Sequence, residues 1–133
     1  MMRGSCLCGA ITFEATGQIE FRNCHCMRCR KAHGAAFASN VYVRPQDFRW
    51  VRGEDHLASY RLQTAQRFGT AFCRVCGSPM PRLVAEGNFF VVPAGALDDD
   101  PGIRPAYHIF TGSRAPWFEI SDDLPQHHEY PPR

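Results

Sequence analysis

Seven cysteines carry the reactive potential of this sequence, and none of them stands alone. Cys6 and Cys8 form C-x-C. Cys24, Cys26 and Cys29 form C-x-C-x-x-C. Cys73 and Cys76 form C-x-x-C, followed at once by Gly77. Clustered thiols suit metal ligation, because zinc takes four tetrahedral ligands and thiolates are common among them. Seven is an odd number, so a complete disulfide framework would leave one cysteine over. In C-x-x-C a tight turn lets both sulfurs face one ion, and Gly77 can take a backbone conformation there that a side chain would resist. In C-x-C, alternate residues of an extended chain project to one side, so Cys6 and Cys8 can converge as well. Two such pairs from distant segments would make a four-thiolate site closing a long loop. By analogy with zinc-finger peptides, zinc there would contribute about 10 kcal/mol to folding. A redox dithiol at Cys73 and Cys76 would call for a surrounding α/β pattern, which the sequence lacks.

The segment Cys24-His25-Cys26-Met27-Arg28-Cys29 offers three thiols. Three protein ligands and one exchangeable position are the arrangement of a catalytic zinc. His25, as neighbour to two ligands, is expected to project away from them. His33 lies four residues after Cys29, and if it ligates, the second site is closed and structural. Spacing alone leaves other groupings of the seven sulfurs open. Three thiolates and a zinc ion carry a net negative charge, so a bound water would be acidified less than at a histidine site. A soft thiol is the better fourth ligand, and thiol activation is the chemistry expected. Arg28, Arg30, Lys31 and His33 flank this segment as candidate substrate-binding residues, with His25 or His33 as candidate proton carriers. Balancing the anionic site from solvent is the plainer role for the cations. His108 reads as a structural, hydrogen-bonded histidine. Phe37, Phe110, Trp117 and Phe118 read as core aromatics or as the wall of a pocket.

The elements that must position these residues read as strands. Period-two alternation, the mark of a half-buried strand, runs through Ala10 to Ala15, Phe37 to Val43 and Phe48 to Trp50. His56 to Leu62, Arg67 to Phe72 and Asn88 to Pro93 are further candidates. Tyr107 to Phe110 and Trp117 to Ile120 read as short aromatic strands or edges. Gly53-Glu54-Asp55 and Asp98-Asp99-Asp100-Pro101-Gly102 are turn signals. Only Cys29 to Ala36 reads as helical. Many short strands with Gly and Pro turns indicate an all-β fold.

The chain has 133 residues, enough for one domain with a real core. Residues 1–123 are expected to form that domain, with 124–133 as an extended tail. Ligating thiols are deprotonated. Seven thiolates subtract seven charges and two zinc ions return four, so the formal +2 becomes −1. That is a poor basis for binding nucleic acid through its phosphates. No stretch approaches a membrane span, and the N-terminus lacks the apolar run of a signal peptide. A cytoplasmic location is expected, where thiols stay reduced.

Several signatures are specific when taken together: Gly4-Ser5-Cys6-Leu7-Cys8-Gly9, Cys24-His25-Cys26-x-x-Cys29-Arg30-Lys31, and Phe72-Cys73-x-x-Cys76-Gly77-Ser78-Pro79. His108-Ile109 follows, and shortly afterwards Ala115-Pro116-Trp117. Over nearly its whole length, to about Ile120, the sequence resembles the glutathione-dependent formaldehyde-activating enzyme family, which includes centromere-protein-V-like proteins. The resemblance implies a β-tent fold of antiparallel sheets, stabilised by zinc and with little helix. It implies two zinc ions per chain, a structural one on Cys6, Cys8, Cys73 and Cys76 and a catalytic one on Cys24, Cys26 and Cys29. It implies a carbon–sulfur lyase acting on the adduct of a small thiol, such as glutathione, with a small aldehyde. The competing expectation is a zinc-stabilised protein-binding module without catalysis.

Overall fold

A computed structural model describes residues 1–84 and 86–132. The strands are β1 (Met2–Ser5), β2 (Thr12–Ala15), β3 (Glu20–Cys24), β4 (Ala38–Val43), β5 (Phe48–Arg52), β6 (Leu57–Arg61), β7 (Gly69–Cys73), β8 (Pro79–Met80), β9 (Arg82–Val84), β10 (Phe89–Pro93) and β11 (His108–Ile109). One α-helix, α1 (Met27–His33), joins β3 to β4. They form three sheets, ordered β1-β2-β5, β11-β3-β4-β10-β9 and β6-β7-β8. All pairings are antiparallel except that of β11 with β3. The fold is all-β, as the alternation of short apolar runs and turns predicts.

The five-stranded sheet has two different faces, because side chains alternate along each strand. Phe21 pairs with Val41, Val43 with Phe90 and Val41 with Val92, and this face enters the main core with Ile11 and Phe13. Phe48 stacks on Phe90 at 3.9 Å between ring centroids and on Phe13 at 5.6 Å. Cys24, an odd step from Phe21, pairs with Ala38 and looks the other way. There Cys24, Cys29, Ala38 and Ile109 make a smaller buried cluster, with Phe68, Tyr107 and Phe110 packed against it.

The acidic turn near residue 100 does more than reverse the chain. Asp99 accepts from the backbone N–H of Arg3 and from its guanidinium at 2.9–3.0 Å. Asp98 accepts from the Ser5 hydroxyl at 2.9 Å. Both contacts hold β1, and with it the loop that carries Cys6 and Cys8.

Three local expectations need correction. The helix starts at Met27 rather than Cys29, because Cys26 caps it: its Sγ accepts the Cys29 N–H at 3.3 Å. It ends at His33 because Gly34 takes the left-handed conformation of a C-cap, with φ of 60°. Trp117 to Ile120 is not a strand; Trp117 is 69% exposed, so its aromatics do not share one buried face. β1, β3, β8 and β9 were not expected as strands, since they mix polar or small residues with few apolar ones. The C-terminal segment lies alongside β11: His108 N–H donates to Pro125 O at 2.9 Å and His127 N–H to His108 O at 3.0 Å. Among the described residues, no helix is long and apolar enough to cross a membrane.

Candidate metal centre

The seven sulfurs fall into two sets. Cys6, Cys8, Cys73 and Cys76 have all their Sγ atoms within 4.8 Å of one another, and Cys24, Cys26 and Cys29 do likewise. All seven are free thiols.

The four-thiol set is built from two turns. The loop after β1 closes with Gly9 N–H on Cys6 O at 3.0 Å, and Ile11 N–H donates to the Cys6 sulfur at 3.3 Å. The β7–β8 turn closes with Gly77 N–H on Cys73 O at 2.7 Å, with Gly77 at φ of 78°. Cys6 and Cys8 sulfurs are 3.7 Å apart, and Cys8 and Cys73 sulfurs 3.9 Å. Four sulfurs about 2.3 Å from a tetrahedral zinc would be about 3.8 Å apart, so the spacing fits the ion. Ser78 ties the turns together. Its Oγ accepts the Leu7 N–H at 2.9 Å and lies 3.3 Å from the Cys76 sulfur. Hydrogen bonds from the Ser78 side chain and backbone hold Cys76 down to about 5, which favours the thiolate that a metal needs.

The three-thiol set sits where β3 runs into α1. Cys24 ends the strand, Cys26 caps the helix and Cys29 lies one turn inside it, so strand and helix geometry bring the sulfurs together. Hydrogen bonds from the Cys24 and Cys29 thiols lower Cys26 to about 2. The same crowding pushes Cys24 up to about 11 and Cys29 up as well. One sulfur thus ionises at the expense of the others, because like charges this close cannot all form without a cation. A divalent ion removes that conflict, and the soft, closely spaced donors fit zinc. Among the described residues no histidine or carboxylate joins the three sulfurs within the same distance.

The flanking residues divide. His33 is half-buried beside a cleft of about 730 Å³, and burial lowers its pKa. That cleft is also lined by Cys6, Ser78, Phe37 and Ala38, so it borders the four-thiol loops and the strand paired to Cys24. Arg30 donates to Ser113 O at 3.1 Å, which ties the helix to the loop after β11. Arg30 and Lys31 border a shallow depression with Met27 and Trp117. Arg28 is exposed.

His25 does project away from the sulfurs, and it is fully buried. Its Nε2 is 2.8 Å from Nδ1 of His108, and His108 Nε2 is 3.0 Å from a carboxylate oxygen of Asp122. Phe37 packs on the His25 ring at 4.8 Å between centroids, and Phe118 at 6.3 Å. Burial lowers His25 to about 4, so its ring is neutral at ordinary pH. Sequence reasoning missed Ser78 and Asp122. The position of Ser78 just after Cys-x-x-Cys-Gly was a usable signal; nothing in Ser121-Asp122-Asp123 marks the aspartate.

The family model for "Glutathione-dependent formaldehyde-activating enzyme" matches residues 1–113. The chain belongs to this family. A Halomonas elongata protein named "Putative glutathione-dependent formaldehyde-activating enzyme" is 29% identical over 128 residues, covering 90% of this chain and 81% of that protein. A crystal structure of a Rhodobacter sphaeroides protein is similar at 30% identity with a TM-score of 0.61, covering 78% of this chain and 98% of that one. Both thiol sets lie inside the segment that the family model matches.

Proposed function

We propose that this family member is a zinc-dependent carbon–sulfur lyase acting on the adduct of a small thiol with a small aldehyde. The observation that carries the reading is the three-thiol set with no fourth protein donor among the described residues. The four-thiol set is the structural site, and the three-thiol set is the reactive one. A zinc ion on Cys24, Cys26 and Cys29 would supply a position at which a substrate thiol is held as its thiolate. The reaction forms a carbon–sulfur bond between that sulfur and the aldehyde carbon, with the carbonyl oxygen taking a proton. The reverse step breaks the same bond and returns the thiol and the aldehyde. Glutathione and formaldehyde are the pair that the family description names, and they are the first to test.

The test is nuclear magnetic resonance exchange between formaldehyde, glutathione and their adduct. The wild-type protein should speed this exchange, and Cys26→Ser should not, while keeping its β-sheet spectrum. No acceleration by zinc-loaded wild-type protein with any small thiol and aldehyde would favour a binding module instead.

A further inference from the structure

We propose that Asp122, His108 and His25 form a positioning chain that fixes the directions of the Cys24 and Cys26 sulfurs. The chain runs from the surface to the residue between these two cysteines. Asp122 is partly exposed, and its Oδ1 also accepts the Leu124 N–H at 3.0 Å, which holds the carboxylate in place. A carboxylate only accepts, so Nε2 of His108 carries a hydrogen. The 2.8 Å contact between the rings needs one hydrogen, and with Nδ1 of His108 accepting, Nε2 of His25 donates it.

His108 is clamped on both edges. β3 pairs with it on one side through Asn23, and Gln126 bridges to it on the other. His25 N–H donates to Ile109 O at 3.0 Å, so backbone and ring of His25 are both held by β11. Phe37 and Phe118 close over the ring. A residue held this way cannot rotate, and its two neighbours must present their sulfurs opposite to its ring.

The other nitrogen of His25 supports the same conclusion. Nδ1 is buried and has no hydrogen-bond partner among the described residues. Unpaired buried polar atoms are uncommon and costly. An apolar ring would fill the slot without that cost, so the bond at Nε2 is what the histidine contributes. Groups hydrogen-bonded directly to metal ligands typically change metal affinity about 10- to 100-fold when removed, and this chain acts one residue further out, through the backbone of His25.

The inference rests on the reading of the three thiols as a metal site, and one experiment separates the two. Purified protein is exchanged to cobalt(II) without a metal-free stage and then titrated with a chelator. The three-thiol site is identified as the one lost in Cys26→Ser. Asp122→Leu keeps about the size of a partly exposed side chain and removes both acceptor oxygens. It should weaken the three-thiol site about 10-fold, the lower end of the range for direct partners of ligands, and shift its cobalt absorption. It should leave the four-thiol site unchanged, and Asp122→Glu should recover part of the loss. Unchanged affinity at the three-thiol site in Asp122→Leu would overturn the chain. So would equal weakening of both sites, which is the result of general destabilisation. If wild-type protein binds cobalt only at the four-thiol site, the metal reading of the three thiols fails, and the chain fails with it.

Discussion

Three thiols within 4.8 Å of one another cannot all carry charge, and their protons are divided accordingly. Cys26 is the sulfur that ionises, while Cys24 and Cys29 hold protons well above neutral pH. A metal must displace about two protons, so its affinity for this set should rise about 100-fold per pH unit near neutrality. The sign is fixed: acid weakens the site, because protons and metal compete for Cys24 and Cys29. A chelator titration across pH 6 to 8, roughly the range where both protons stay on in the free protein, measures the slope. The two sets should also respond differently to loss of one sulfur. Cys76→Ser should unfold the domain, because the four-thiol set joins two distant loops. Cys26→Ser should lose one metal and retain the circular dichroism of a β protein. Equal destabilisation by the two variants would contradict the division.

Strands and turns decide where those sulfurs go. β1 carries Cys6 and Cys8 to their partners, and it lies close over the core. A Cβ at Gly4 would sit 2.1 Å from the tip of the Phe13 ring, which is fully buried. Gly4→Ala should therefore cost about 1–3 kcal/mol by displacing that ring. Thermal unfolding of the zinc-loaded variant reads the loss, and an unchanged midpoint would show that β1 can shift freely. Period-two patterns made β2, β4, β5, β6, β7 and β10 legible in the sequence. β3 was not legible, because its buried positions include Asn23 and Cys24, which carry no apolar signal. The start of α1 was missed for a related reason. A cysteine thiol is not among the usual N-caps, yet the Cys26 sulfur does that work.

The chain as a whole closes on itself through its C-terminal segment. Phe110 N–H donates to Glu129 O at 3.0 Å and Thr111 N–H to His127 O at 3.1 Å, beside the bonds at His108. Ending the chain after Asp123 should cost on the order of 4 kcal/mol, since each of these four bonds is worth about 1 kcal/mol net. It should also weaken the three-thiol site, because β11 holds His25. Chelator titration and thermal unfolding of the shortened chain would show both effects. Cysteine clustering made the seven sulfurs legible as candidate metal ligands, and the family resemblance assigned the grouping that the sulfurs now display. The links between distant parts were not legible: Ser78 to Leu7, Asp122 to His108 and Asp98 to Ser5 depend on contacts that no local pattern encodes. The central claim is that one set is closed and the other open to a thiol. The most direct measurement is the absorption spectrum of the protein carrying two cobalt(II) ions, taken before and after adding glutathione. The account predicts a stronger sulfur-to-cobalt band and shifted ligand-field bands as a fourth sulfur joins the three-thiol site, with no such change in Cys26→Ser. An unchanged spectrum with glutathione and with every other small thiol, both cobalt ions still bound, would contradict it.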